Sequence, residues 1–364
     1  MNPGEELRRC GQSLWLDYIS RGMIRSGELK RLIEQSGITG LTSNPTLFER
    51  AIDETHDYDD AFESLAAAHL DSRSIYESLS VEDVRNACDL LKPVYERTAG
   101  ADGYASIEVS PFLAHDSKGS IAEAVRLWHE IGRPNAMVKI PATAEGMPAI
   151  AEALAEGINI NITLIFSMRQ YNAVVDAFLR GIERAANPAQ LASVASVFVS
   201  RIDTAVDREL ENIGTPDALA LRGRAAIANA RLIYRRYRET FDSPRFASLR
   251  TRHIRPQRVL WGSTGTKNPA YPDLMYVEEL VGPETINTVP PATFRALQDH
   301  GKIRGATVSE GWAEAESVLK RIRALGVDFD VLLERLESEG VAAFGRSLDK
   351  LLETLDHKRS VAAH

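Results

Sequence analysis

The feature that most constrains this chain is a recurrence: eight short apolar segments, most of them followed by an amphipathic helical pattern. They lie near Leu14–Asp17, Gly40–Ser43, Ser106–Val109, Met137–Ile140, Ile158–Leu164, Val194–Val199, Arg258–Trp261 and Thr285–Val289. Strands alternating with helices predict a parallel sheet, either an open doubly wound sheet or a closed (β/α)8 TIM barrel. The chemistry at the strand ends decides between them. Asp17 ends the first strand, Asn44 follows the second and Glu108 sits on the third. Lys139 is on the fourth, Asn161 and Thr163 on the fifth, and Ser196 on the sixth. Side chains alternate between faces along a strand, so Val138 and Ile140 point away from Lys139, and Ile107 and Val109 away from Glu108. Aliphatics suit an outer face covered by helices. The polar set then converges on the barrel mouth, where such folds gather their functional groups.

Local signals mark the helices. Ile121, Ala124, Val125 and Trp128 follow helical spacing and stop at Gly132, with Pro134 beyond. Ser167 and Gln170 form a capping box ahead of Tyr171, Val174, Val175 and Phe178. Ser26 is expected to cap a helix carrying Leu29, Leu32 and Ile33 and ending at Gly37. The connection between strands two and three, about 45–105, is too long for one crossover and predicts two or three helices. The tail from Ala292 to about 358 reads as helical throughout. No interdomain linker or solenoid repeat stands out, so the expectation is one barrel domain over 1–364.

Composition narrows the function. A net charge of −8 argues against a general nucleic-acid binder and favours a small-molecule partner. No apolar run approaches the ~18 residues that span a bilayer, and the polar start through Arg9 does not read as a secretory signal. Two cysteines without metal-type spacing, Cys10 and Cys88, suit a reducing cytoplasm. No zinc-type cluster, Walker loop or dinucleotide fingerprint is present, so no cofactor or metal is expected. An arginine-rich stretch from Arg231 to Arg255 lies on a helix and the loop after it, and reads as a solvated face.

Lys139 is central. A lysine on an interior strand must pair with a carboxylate or shed its proton, because an unpaired buried ammonium is costly. The neutral amine attacks ketones to form a Schiff base, whereas a paired lysine merely ties strands together; the spacing allows both. Asp17 and Glu108 can divide the proton transfers that imine formation and carbon–carbon cleavage require, or one of them can be only the ion-pair partner. Asn44, Asn161, Thr163 and Ser196 offer neutral hydrogen-bonding groups for a polyol, although Asn44 before Pro45 is also a turn signal. Arg201 carries a fork suited to phosphate, and Gly262–Asn268 is a glycine- and hydroxyl-rich loop containing the cation Lys267.

Leu14-Trp15-Leu16-Asp17, Thr42-Ser43-Asn44-Pro45-Thr46, Ile107-Glu108-Val109, Val138-Lys139-Ile140-Pro141-Ala142-Thr143, Asn161–Ser167 and Ser196–Asp203 resemble, in order and spacing, the motifs of transaldolases. The resemblance runs from about residue 14 to the last helices. It implies a cofactor-free class I enzyme that moves a dihydroxyacetone unit between sugar phosphates of the pentose phosphate pathway, as a monomer or homodimer. It implies Lys139 as the Schiff-base lysine and Asp17 as the carboxylate acting on the sugar C4 hydroxyl. Glu108 and Thr163 would position a catalytic water. Asn44, Asn161 and Ser196 would hold the dihydroxyacetone hydroxyls, Phe198 would wall the pocket, and Arg201 would bind phosphate. Two departures stand out: Lys267, in a loop one residue longer, replaces a common second arginine, and Ser110 stands where aspartate is commoner. The rivals are a fructose 6-phosphate aldolase, whose relatives are much shorter, and a sugar-phosphate-binding protein that has lost catalysis.

Overall fold

The computed structural model describes residues 2–53 and 55–362. Met1, Glu54, Ala363 and His364, which the reading of 1–364 as one domain includes, lie outside the described residues. Eight parallel strands close into a barrel in chain order. They are β1 (Gln12–Asp17), β2 (Ile38–Thr42), β3 (Ala105–Glu108), β4 (Ala136–Pro141), β5 (Ile160–Ile165), β6 (Ser193–Phe198), β7 (Arg258–Gly262) and β8 (Thr285–Val289). This is the expected TIM barrel, with strand ends shifted by one or two residues.

The alternation read from the sequence sorts the barrel into two surfaces. Outward residues such as Leu14, Leu16, Ile107, Val138, Ile140, Ile160, Ile162, Ala195, Val197 and Val259 join the large core beneath the helices. Inward residues near the amino ends of the strands form a separate apolar plug of Trp15, Tyr104, Met137, Val194, Leu260 and Ile286, with Ala192 beside it. Gly40 makes room for it, since a Cβ there would sit 2.4 Å from the Trp15 indole. Two residues further along, the inward positions turn polar: Trp15 is followed by Asp17, Met137 by Lys139, Val194 by Ser196 and Ile286 by Thr288.

Between β2 and β3 run three helices, Pro45–Asp53, Asp59–Ala67 and Ser72–Arg97. The capping box holds as read: Gln170 N–H donates to Ser167 Oγ at 3.1 Å, and Ser167 N–H to Gln170 Oε1 at 3.1 Å. The helix Ser117–Ile131 ends at left-handed Gly132, φ 61°. Two expectations need correction. Ser26 closes the short helix Arg21–Arg25, and Gly27, at φ 73°, opens the next one, Glu28–Gln35, although Ser26 Oγ still accepts from Glu28 N–H at 3.3 Å. The left-handed turn that separates them needs glycine, so it displaces the serine cap by one position. The tail is not helical throughout, because residues 301–311 and 325–328 break it into Pro291–His300, Trp312–Ala324 and Phe329–Ala362. Gly301, Gly305 and Gly311 fall in the first break, the last two at positive φ.

The long final helix returns across the carboxyl end of the barrel. Ser347 Oγ lies 2.8 Å from Thr46 Oγ1, Gln170 Nε2 donates to Glu337 at 2.8 Å, and Ser72 Oγ donates to Asp356. The arginine-rich stretch is largely neutralised by carboxylates: Arg231 to Glu279, Arg235 to Glu316, Arg238 to Asp242, Arg245 to Glu183 and Arg250 to Glu284. No helix among the described residues is long and apolar enough to cross a membrane.

Candidate active site

The carboxyl end of the barrel opens into a cavity of about 520 Å³ whose lining includes Asp17, Asn44, Lys139, Thr163, Ser196, Phe198, Arg201 and Lys267. Eight of the ten residues singled out from the sequence therefore line one space. Glu108 and Asn161 lie directly behind it.

Lys139 sits opposite Glu108 on one flank and Asn161 on the other in the strand register. Its Nζ donates to Glu108 Oε2 at 3.0 Å and to the Ser43 carbonyl at 2.9 Å. The two side chains are only 5% and 4% exposed. An ammonium has three donors, so one remains for the cavity. Burial pushes the Glu108 carboxyl up from its ordinary value; Lys139 pulls it down and Asp17 adds to the rise. A carboxylate so placed accepts a proton more readily than one in water.

Asp17, at the end of β1, also has its carboxyl raised by burial, against the opposing hydrogen bond from Thr42 and the charges of Lys139 and Lys267. Thr42 Oγ1 donates to Asp17 Oδ1 at 2.6 Å and lies 2.7 Å from Thr288 Oγ1. A hydroxyl has one hydrogen, so Thr288 must be the donor in the second contact. The chain Thr288 to Thr42 to Asp17 fixes one carboxylate oxygen.

Ser196 Oγ donates to Asn161 Oδ1 at 2.6 Å, and Asn161 Nδ2 donates to Ser106 Oγ at 3.1 Å. Asn161, fully buried, acts behind Ser196. Asn44 serves its turn as well as the cavity, since its Oδ1 caps the helix Pro45–Asp53 by accepting from Leu47 N–H at 3.1 Å. Thr163 Oγ1 is buried and has no hydrogen-bond partner among the described residues. It precedes Leu164, which adopts φ 61° where the β5–β6 register shifts. A left-handed branched residue is strained, and such strain gathers at functional sites.

Arg201 is the second residue of the helix Ser200–Ile213 that follows β6. Asp203, two residues on, anchors that helix by accepting from Ala226 N–H and Tyr276 Oη, each at 2.8 Å; burial raises its carboxyl to about 7. The Arg201 guanidinium lies over Phe198 at 5.7 Å and over Phe344 at 6.0 Å. The loop carrying Lys267 is pinned on both sides: Ser263 O accepts from Ser200 N–H at 3.0 Å, and Thr264 Oγ1 donates to Asn287 at 2.9 Å. Ser110, the other departure from the family pattern, sits away from the cavity; its N–H donates to Glu123 Oε2 at 2.6 Å.

Sequence reasoning missed Thr42, Thr288, Arg50, Arg295 and Phe344. The first two share the inward register with Gly40 and Ile286, so alternation could have found them. The other three are brought in by helices that nothing local aims at the mouth. Among the described residues, no group of three or more His, Cys, Asp or Glu is arranged to hold a metal ion.

Residues 14–355 match the family described as Transaldolase/Fructose-6-phosphate aldolase. The chain belongs to this family. It is 48% identical over 354 residues to a transaldolase of Acidothermus cellulolyticus, covering 96% of this chain and 95% of that one. It is 47% identical over 367 residues to a transaldolase of Thermobifida fusca, covering 100% and 99%. A transaldolase of Thiobacillus denitrificans is 48% identical over 356 residues, covering 97% and 99%. These three relatives and this chain therefore correspond over nearly their whole length.

Proposed function

We propose that this chain is a transaldolase, carrying a dihydroxyacetone unit on Lys139 from a ketose phosphate to an aldose phosphate. The observation that supports it best is the placement of one buried lysine against Glu108, across the same mouth from Asp17. Sedoheptulose 7-phosphate with glyceraldehyde 3-phosphate, and fructose 6-phosphate with erythrose 4-phosphate, are the substrate pairs the resemblance implies. Cytoplasmic residence, as a monomer or homodimer, completes the reading; two unpaired cysteines suit that compartment, and burial pushes the Cys88 thiol up to about 12.

Reaction begins when Lys139 passes a proton to Glu108 and its amine attacks the ketone carbon, giving a carbinolamine. Glu108 returns that proton to the departing hydroxyl, water leaves, and an iminium forms. Thr163 Oγ1, without another partner among the described residues, is placed to hold that hydroxyl or water. Asp17 then removes the proton from the C4 hydroxyl, the C3–C4 bond breaks, and an aldose phosphate leaves as aldehyde. The electron pair moves into the iminium, leaving an enamine on Lys139. Ser196, backed by Asn161, and Asn44 hold the retained hydroxyls. The enamine adds to a second aldehyde, Asp17 gives its proton to the new alkoxide, and hydrolysis frees the ketose. Arg201 and Lys267 grip the phosphate.

The test is acceptor dependence. Fructose 6-phosphate should react at an appreciable rate only when an aldose phosphate is supplied, with sedoheptulose 7-phosphate formed from erythrose 4-phosphate. Steady release of free dihydroxyacetone without acceptor would instead assign the aldolase activity, and no turnover with either would assign a silent binder.

A further inference from the structure

Arg201 is held in an unusual way. Burial pulls its guanidinium below the ordinary arginine value, with Glu339 opposing, yet no carboxylate lies within ion-pairing distance among the described residues. Instead it lies over two rings, Phe198 of β6 and Phe344 of the final helix. One turn earlier on that helix, Gly340 lets the backbone approach closely. A Cβ at 340 would sit 3.5 Å from Arg201 Nη1 and 2.8 Å from Leu164 Cδ2.

We propose that Phe344 and Gly340 are positioning residues that hold the Arg201 fork for phosphate, so that the C-terminal helix sets the preference for phosphorylated sugars. The inference rests on the function proposed above. An arginine held by a carboxylate would be partly neutralised and its donors occupied. Aromatic faces hold a cation while leaving its N–H groups free, so this arrangement orients the charge without competing with the ligand. Residues 340 and 344 share one helix face, and that face is fixed over the mouth by the Thr46–Ser347 and Gln170–Glu337 contacts. The same face covers Leu164, the strained residue next to Thr163, so one helix steadies both the phosphate end and the hydroxyl end of the site.

The experiment compares Phe344→Leu, Phe344→Tyr and Gly340→Ala with the wild type, using fructose 6-phosphate and fructose as donors. Loss of the ring in Phe344→Leu should raise KM for fructose 6-phosphate by about three- to thirtyfold more than KM for fructose, the range a cation–ring contact commands. Phe344→Tyr should restore most of the difference, and Gly340→Ala should shift selectivity in the same direction. In an Arg201→Ala background, Phe344→Leu should add no further selectivity. Calorimetric titration with inorganic phosphate reads the same site without turnover and should show the same order of affinities. Equal changes on both donors, or unchanged phosphate affinity, would overturn the inference and assign Phe344 to packing alone. Borohydride trapping on Lys139 in each variant separates the two proposals: absence of adduct in the wild type refutes the function, whereas trapping without altered phosphate selectivity refutes only the role of the helix.

Discussion

The two ends of the barrel interior are built from the same strands and behave oppositely. At the amino end, Trp15, Tyr104, Met137, Val194 and Ile286 close the barrel with apolar bulk. The polar groups there serve the closure: Asp102 Oδ1 accepts from Trp15 Nε1 at 2.8 Å, Ser13 donates to its other oxygen, and Arg258 donates to Ser13 Oγ at 2.7 Å. At the carboxyl end, two residues along, Asp17 and Glu108 carry carboxyls raised by burial, Thr163 Oγ1 has no partner among the described residues and Leu164 is strained. The amino-end cavity is the larger, about 1170 Å³ against 520 Å³. Volume is therefore not what marks the functional end. Convergence of titratable groups with unspent hydrogen-bonding capacity marks it.

That contrast can be broken by substitution, and the largest effect should come from Lys139. Lys139→Arg should abolish transfer altogether, since a guanidinium stays protonated and cannot attack a ketone. Residual turnover above the uncatalysed rate would show another nucleophile. Asp17→Asn should lower kcat by ~10²–10⁴, the range for a lost general acid–base group, measured in the coupled transfer assay.

The pH dependence follows from the direction of the Asp17 shift. A raised pKa keeps the proton on to higher pH, so activity that needs ionised Asp17 should fall off, on acidification, above the ordinary value of 3.8. Ionising such a group destabilises the fold: stability is fully present below the unfolded pKa and is lost as pH rises through the folded one. Asp17→Asn should therefore raise Tm by ~2 °C at neutral pH, and the difference should shrink as pH falls. A lower Tm at neutral pH would show that Lys139 and Lys267 outweigh burial there.

At the opposite end the effects should reverse. Ile286→Ala should cost ~2–5 kcal/mol of stability by denaturant titration, as for other buried aliphatic truncations, while the folded protein keeps its kcat. A large fall in kcat would mean the plug and the mouth are not separable. Smaller effects belong to the phosphate end. Arg201→Ala and Lys267→Ala should mainly raise KM, with kcat/KM down roughly tenfold to a hundredfold, the loss of one charge-assisted contact. Arg201 should be the costlier, because its fork binds bidentately. Smallest of all, Arg50 and Arg295 line the same mouth, exposed and with no ion-pair partner among the described residues. Removing either should lower kcat/KM by about twofold at low salt and hardly at all at high salt, as screened steering charges do.

How much of this was legible in the sequence depends on distance along the chain. Lys139, Glu108 and Asn161 were legible because strand alternation is a local rule, and the barrel only had to put their neighbours outside. Ser26 bonds Glu28 N–H as a cap would, yet left-handed Gly27 takes the cap position, because a serine cap and such a glycine compete within two residues and only the tertiary turn chooses between them. The tail read as continuous helix because its apolar residues persist through 301–311, where glycines release the chain. Phe344 carried no signal at all: its place over Arg201 exists only once a helix some 140 residues downstream is laid across the mouth.

The most direct test of the lysine chemistry is borohydride reduction in the presence of fructose 6-phosphate, followed by peptide mass mapping. The expected result is one reduced three-carbon adduct on the peptide containing Val138-Lys139-Ile140, absent from Lys139→Arg. Adduct on a different lysine, or none while transfer activity is intact, would contradict a Schiff base at Lys139.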